Sequence, residues 1–144
     1  MTLFINGTNI TQSPTAFVGI PEGATKLGIM AHMTYFSHPD FTTDCVLPMI
    51  RARPKEHGDP KDNYYLGVPP DGSIFIEDVT TTGGSLLETI ANLREANVNV
   101  VGAIGLTNRM EKRDDGDSVR VALAKKEVPY LDMSDAFTLL PRAY

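Results

Sequence analysis

Tryptophan is absent from this chain of 144 residues, and cysteine occurs once, as Cys45. A single thiol forms no intrachain disulfide, so packing alone must hold the fold, and a reducing, cytoplasmic setting is expected. Placed between Asp44 and the apolar pair Val46-Leu47, Cys45 reads as a buried strand residue rather than a nucleophile. No uninterrupted apolar run approaches membrane-spanning length, and Met1-Thr2-Leu3-Phe4 lacks the basic start of a secretory leader. Neither membrane insertion nor secretion is expected. Positive charge is also short: 13 Lys+Arg stand against 18 Asp+Glu, a net of −5. That balance disfavours a nucleic-acid partner bound through a broad basic face, so an anionic ligand has to be gripped locally. His32 and His38 have no carboxylate or cysteine at ligand spacing, and zinc is not expected. Internal repeats and low-complexity tracts are missing as well.

What is present fits one domain, residues 1–144, with an ordinary soluble composition of 42% hydrophobic and 22% charged residues. Leu3 to Ile10 reads as a hairpin turning at Asn6-Gly7, the core of a short N-terminal element over residues 1–15. Ala16 to Ile20 is the first buried strand, followed by a helix from Ala24 to about Phe36 with Leu27, Met30, Ala31 and Phe36 facing inward. Cys45 to Ile50 is expected to be a second strand, weakened by Pro48. Residues 51–63 are charged and carry two prolines and a glycine without apolar period, which predicts an exposed, mobile loop. Tyr64 to Val68 forms a short strand before the turn Pro69-Pro70-Asp71-Gly72. Leu86, Leu87, Ile90 and Leu93 mark one face of a helix ending near Asn97. A strand over Val98 to Leu106 ends in a turn at Thr107-Asn108. Glu111 to Asp117 reads as a solvent-facing loop, Ser118 to Lys126 as helix and Val128 to Leu131 as the last strand. Ser134 is expected to cap a terminal helix through Leu140. Strands alternating with helices predict an α/β fold, a mainly parallel sheet flanked by helices.

The segment with most chemical content is Ile74-Phe75-Ile76-Glu77-Asp78-Val79-Thr80-Thr81-Thr82-Gly83-Gly84-Ser85. An apolar triplet reads as a buried strand, and two acids then emerge at its C-terminal end, where open α/β sheets bind ligands. Gly83 and Gly84 let the backbone approach an anion, and the free N–H groups of the turn and the helix start point at it. Carboxylates suit ribose hydroxyls or Mg²⁺, while the amides and the hydroxyls of Thr81, Thr82 and Ser85 suit a phosphate. A second strand-to-helix turn, Ile20-Pro21-Glu22-Gly23-Ala24, would lie beside this one if the two strands are neighbours. The run Arg51-Ala52-Arg53-Pro54-Lys55-Glu56-His57-Gly58 concentrates cations within an acidic chain, as a mobile arm closing over a charged leaving group would require.

The twelve-residue segment closely resembles the phosphoribosyl-diphosphate (PRPP) signature of the type I phosphoribosyltransferases, and the similarity extends from about Phe17 to Arg109. Phe17 to Gly23 is similar to the turn that contacts diphosphate in the orotate branch. The loop resembles that branch's catalytic loop, where a basic pair precedes a Lys-x-His-Gly core. Lys55, His57 and Gly58 match the core and Arg51 the leading arginine, whereas Ala52 stands where lysine is usual. The resemblance implies that Glu77 and Asp78 hold the ribose, with Mg²⁺ carried by PRPP nearby, that residues 81–85 hold the 5′-phosphate, and that Thr80 also contacts PRPP. Glu22 and Gly23 would meet the diphosphate, Lys55, His57 and Arg51 would act in catalysis, and Arg109 would bind the orotate carboxylate. The implied activity is transfer of phosphoribosyl from PRPP to orotate. The implied assembly is a homodimer in which loop 51–63 reaches the neighbouring site. Family members begin with a longer hood over the base, so the hairpin would stand in its place. A non-catalytic PRPP-binding protein, or transfer to another base, is the alternative.

Overall fold

The computed structural model describes residues 13–38, 46–57 and 63–143. The expected hairpin at Leu3 to Ile10, together with Cys45 and Gly58, lies outside them.

The β-rich, apolar segments pair into a four-stranded parallel sheet. Its strands are β1 (Ala16–Gly19), β4 (Ser73–Thr80), β5 (Val100–Asn108) and β6 (Tyr130–Asp135), in the order β1-β4-β5-β6. Alternation along β4 sorts its side chains between two cores. Ile74 and Ile76 pack with Phe17, Ala24, Tyr35 and Ile104 under helix α1 (Thr25–Phe36). Phe75 points the other way, with Val18, Ala103 and Tyr130, against Leu86, Ile90 and Leu93 of α2 (Gly84–Glu95) and Val119 and Leu123 of α3 (Val119–Ala124). Both faces of the strand are covered, which is why the sequence there is continuously apolar. Among the described residues no helix is long and apolar enough to cross a membrane.

Several boundaries differ from expectation. Met30 is 66% exposed, because α1 meets the sheet through Gly28, His32 and Tyr35, and Met30 lies about 200° around the helix from Gly28. The expected strand over Cys45 to Ile50 reduces, among described residues, to β2 (Met49–Ile50), and Tyr64 to Val68 to β3 (Tyr65–Leu66); these two form a separate antiparallel pair. Strand β5 begins at Val100, after a left-handed Asn97, and runs through the expected turn, because Thr107 and Asn108 pair with Ser134 and Asp135. The last strand is correspondingly β6, and Asp135 rather than Ser134 caps the short α4 (Ala136–Leu139), accepting from the Thr138 N–H at 2.9 Å. Ser134 instead donates to the Leu106 carbonyl at 2.8 Å.

Two glycines set how close α1 lies to the sheet. A Cβ on Gly28 would fall 2.1 Å from the Gly19 nitrogen, so helix and strand touch backbone to backbone. His32, fully buried, accepts the Phe17 N–H through Nδ1 at 3.2 Å, and burial lowers its pKa, so it is a neutral structural acceptor. Because backbone cannot yield as a flexible side chain does, Gly28→Ala should destabilise the fold by about 3 kcal/mol, measured as a lowered urea midpoint at unchanged slope.

Candidate active site at the C-terminal ends of the strands

Strand β4 carries both acids. Glu77 is 9% exposed, and burial first, then the charge of Asp78, pushes its carboxyl up to about 7. Asp78 is less enclosed and accepts the Val79 N–H at 2.9 Å. The parallel pairing of Gly19 with Ile76 places the turn after β1 directly against these acids. A Cβ on Gly23 would sit 2.1 Å from the Asp78 carboxylate, so only glycine allows that approach. Within this turn the Pro21-Glu22 peptide is cis, and Glu22 and Gly23 are exposed.

Beyond the acids the chain turns into α2. Gly83 stands at the N-cap with φ 77, and no side chain caps the helix, so the Thr82 and Ser85 hydroxyls are not spent there. Val119 fills the space where a Gly83 Cβ would lie, whereas a Cβ on Gly84 would meet nothing nearer than the Thr82 hydroxyl at 3.9 Å. The carbonyls of the turn are held from behind: Thr80 accepts the Arg109 N–H at 2.8 Å and Thr82 accepts Arg113 Nη1 at 3.1 Å. Among the described residues no protein acceptor engages the N–H groups of residues 81–86. Unpaired donors at a helix N-terminus form an anion site. Thr80 itself is 1% exposed, its hydroxyl accepting from Tyr130 Oη at 3.0 Å, so its side chain lies beneath the cradle rather than in it.

The cationic run leaves β2 and returns through β3, with Arg51 N–H donating to Tyr64 O at 2.8 Å and Lys55 N–H to Asn63 O at 2.9 Å. A cleft of about 210 Å³ joins Arg51 to Pro21 and Ser85, and the Arg51 Nε in it is buried without a hydrogen-bond partner. Loop root, first turn and cradle thus meet in one cleft. Lys55 and His57 are exposed. Arg109, just past β5, lies beside Thr80 through its backbone, and its guanidinium pairs with Glu111 at 2.8 Å, both side chains being exposed.

No family model matches the chain. Orotate phosphoribosyltransferase of Bacillus subtilis (strain 168) is 38% identical over 98 residues, which cover 65% of this chain and 42% of that protein. That of Bacillus pumilus (strain SAFR-032) is 34% identical over 129 residues, 87% of this chain and 50% of the relative. Among solved structures, orotate phosphoribosyltransferase from Aeropyrum pernix superposes with a TM-score of 0.69 at 24% identity, covering 99% of this chain and 72% of that one. The chain has the type I phosphoribosyltransferase fold, and in sequence it is most similar to the orotate branch. It spans about half the length of the curated relatives it matches.

Three residues of this candidate site escaped the sequence reading. Gly105 in β5 leaves room for the Tyr130–Thr80 bond, since a Cβ there would lie 2.3 Å from Tyr130 Oη and 2.6 Å from Thr80 Oγ1. An isolated glycine inside an apolar strand was the available signal. Tyr130 and Arg113 carried none, because one looks like an ordinary strand aromatic and the other sits in a charged loop. That loop is not wholly solvent-facing, since Arg113 folds back onto Thr82.

The raised Glu77 carboxyl makes stability depend on pH. The folded protein holds the extra proton between the usual 4.5 and about 7, where the unfolded chain has lost it. Stability of the unliganded protein from this group is therefore greatest below that window and falls as pH rises through it, by up to about 1.4 kcal/mol per pH unit. Glu77→Gln should remove this slope in urea titrations between pH 5 and 8.

Proposed function

We propose that this protein transfers the phosphoribosyl group of PRPP to orotate, forming orotidine 5′-monophosphate and diphosphate. The observation carrying the reading is the contact of Gly23 with the Asp78 carboxylate beside the open amides of residues 81–86. One ligand with ribose hydroxyls, a terminal phosphate and a diphosphate spans these three features. The mycobacterial orotate phosphoribosyltransferase solved with PRPP shares the fold at a TM-score of 0.59.

In this reading Glu77 and Asp78 accept the ribose hydroxyls, and Thr81, Thr82, Gly83, Gly84 and Ser85 donate to the 5′-phosphate. Glu22 and Gly23 line the diphosphate. Attack by N1 of orotate on C1 of the ribose breaks the bond to the diphosphate oxygen, which takes the electron pair, and the N1 proton passes to the departing diphosphate or to water. Arg51, with Lys55 and His57 brought over by the loop, stabilises that developing charge. Arg109 exchanges its exposed Glu111 partner for the orotate carboxylate, a planar match to a guanidinium.

Mg²⁺ fits as an ion arriving with PRPP. Among the described residues no group of three or more metal-ligating side chains occurs, and an ion held by Glu77 or Asp78 plus substrate oxygens is what Mg²⁺ favours. It would supply neutralisation of the diphosphate. A cytoplasmic homodimer completes the reading, with loop 51–63 of one copy serving the other.

Incubation with Mg-PRPP and orotate should consume orotate absorbance and release diphosphate. Binding of PRPP by calorimetry without turnover of orotate or any common nucleobase would instead identify a non-catalytic PRPP binder. Lys55→Ala should lower kcat about 100-fold while changing the KM for PRPP less than about threefold, because its contact strengthens as the leaving group ionises. Equal losses in both would remove Lys55 from that role. If the loop acts across a dimer, mixing Lys55→Ala with Asp78→Asn protein should restore about a quarter of wild-type activity, through random pairing that rebuilds one intact site in half of the dimers. No recovery on mixing would place the loop over its own subunit's site.

A further inference from the structure

Between β5 and α3 the chain makes a closed turn. Arg113 N–H donates to Asp117 O at 3.0 Å, Gly116 N–H to Arg113 O at 2.9 Å, and Asp117 N–H to Asp115 Oδ1 at 3.0 Å. Lys125 ties the Asp117 carboxylate to the end of α3. From this frame the Arg113 side chain, 28% exposed, reaches back to the Thr82 carbonyl at 3.1 Å. Val119, two residues beyond the turn, packs under Gly83. One segment thus makes a polar and an apolar contact with adjacent residues of the cradle.

A trans peptide points its carbonyl and the following N–H in opposite directions. Holding the Thr82 oxygen from behind therefore turns the Gly83 N–H to the open side. We infer that Arg113 is a positioning residue for the 5′-phosphate site: it orients the Thr82–Gly83 peptide so that its amide meets a phosphate monoester, while its own charge is shared with the Asp115 carboxylate at 3.5 Å. The inference rests on the PRPP reading above. Arg113 touches the protein's own backbone rather than the reacting atoms. Its effect should therefore fall on binding of the phosphate end and leave both the diphosphate end and the chemical step alone.

Ribose 5-phosphate engages the cradle and pyrophosphate engages the opposite end, so titrating each separately resolves the claim. Arg113→Ala should weaken ribose 5-phosphate about tenfold and raise the KM for PRPP by a similar factor, with kcat within about twofold and pyrophosphate affinity unchanged. Arg113→Lys should be intermediate, and guanidinium ion added to Arg113→Ala should recover part of the loss. If Arg113→Ala does not fold, Arg113→Lys carries the comparison. Affinity for ribose 5-phosphate within about twofold of wild type in the tested variant, or equal loss of both ligands, overturns the inference while leaving the PRPP reading intact. Wild-type protein that binds neither ribose 5-phosphate nor PRPP overturns the reading and the inference together.

Discussion

The site depends on one piece of register, the parallel pairing of β1 with β4 that sets Gly19 opposite Ile76. Because both strands run the same way, their C-terminal turns emerge side by side, and Gly23 comes to rest against the Asp78 carboxylate. The backbone contact of Gly19 with Gly28 draws α1 onto the same strand, which fixes where the turn can lie. A slip of one residue would exchange the faces of β1 and remove Phe17 and Val18 from their separate cores. Packing of apolar side chains on both sides of the sheet thus determines where an acid and a turn meet.

In a protein of net charge −5, any anion would have to be bound by local means. The structure supplies unpaired main-chain donors whose carbonyl partners are already committed to Arg109 and Arg113. Dipoles held this way need little reorganisation when an anion arrives, which is what makes a preformed site effective. Burial likewise gives Glu77 its raised pKa: a carboxyl almost wholly enclosed and beside another acid resists ionisation. The stability this group forgoes above neutral pH is a local cost of placing two acids at one strand end.

The cationic loop is separated from the sheet by its own antiparallel pair, β2 with β3. Main-chain bonds at this hairpin root hold Arg51 in the cleft while Arg53, Lys55 and His57 are exposed to solvent. These charges are thereby kept solvated rather than buried.

The sequence alone determined the elements that depend on neighbouring residues. The buried strand carrying Glu77-Asp78, the glycine turn, the amphipathic helix with Leu86, Ile90 and Leu93 inward, and the parallel α/β class all follow from short-range periodicity and composition, and the structure shows each of them, although the strand runs two residues past the acids to Thr80 because Val79 and Thr80 pair with Thr107 and Asn108. Tertiary structure decided what depends on partners distant in the chain. Thr107 and Asn108 are strand because β6 pairs with them, Met30 faces out because Gly28 faces the sheet, and β2 is antiparallel because β3 returns beside it. Thr80 belongs under the cradle because Tyr130, fifty residues later, bonds its hydroxyl, and Arg113 belongs behind it because a turn beyond β5 folds back onto Thr82. Periodicity reports which way a side chain points along its own element. Only the folded chain reveals what it meets there.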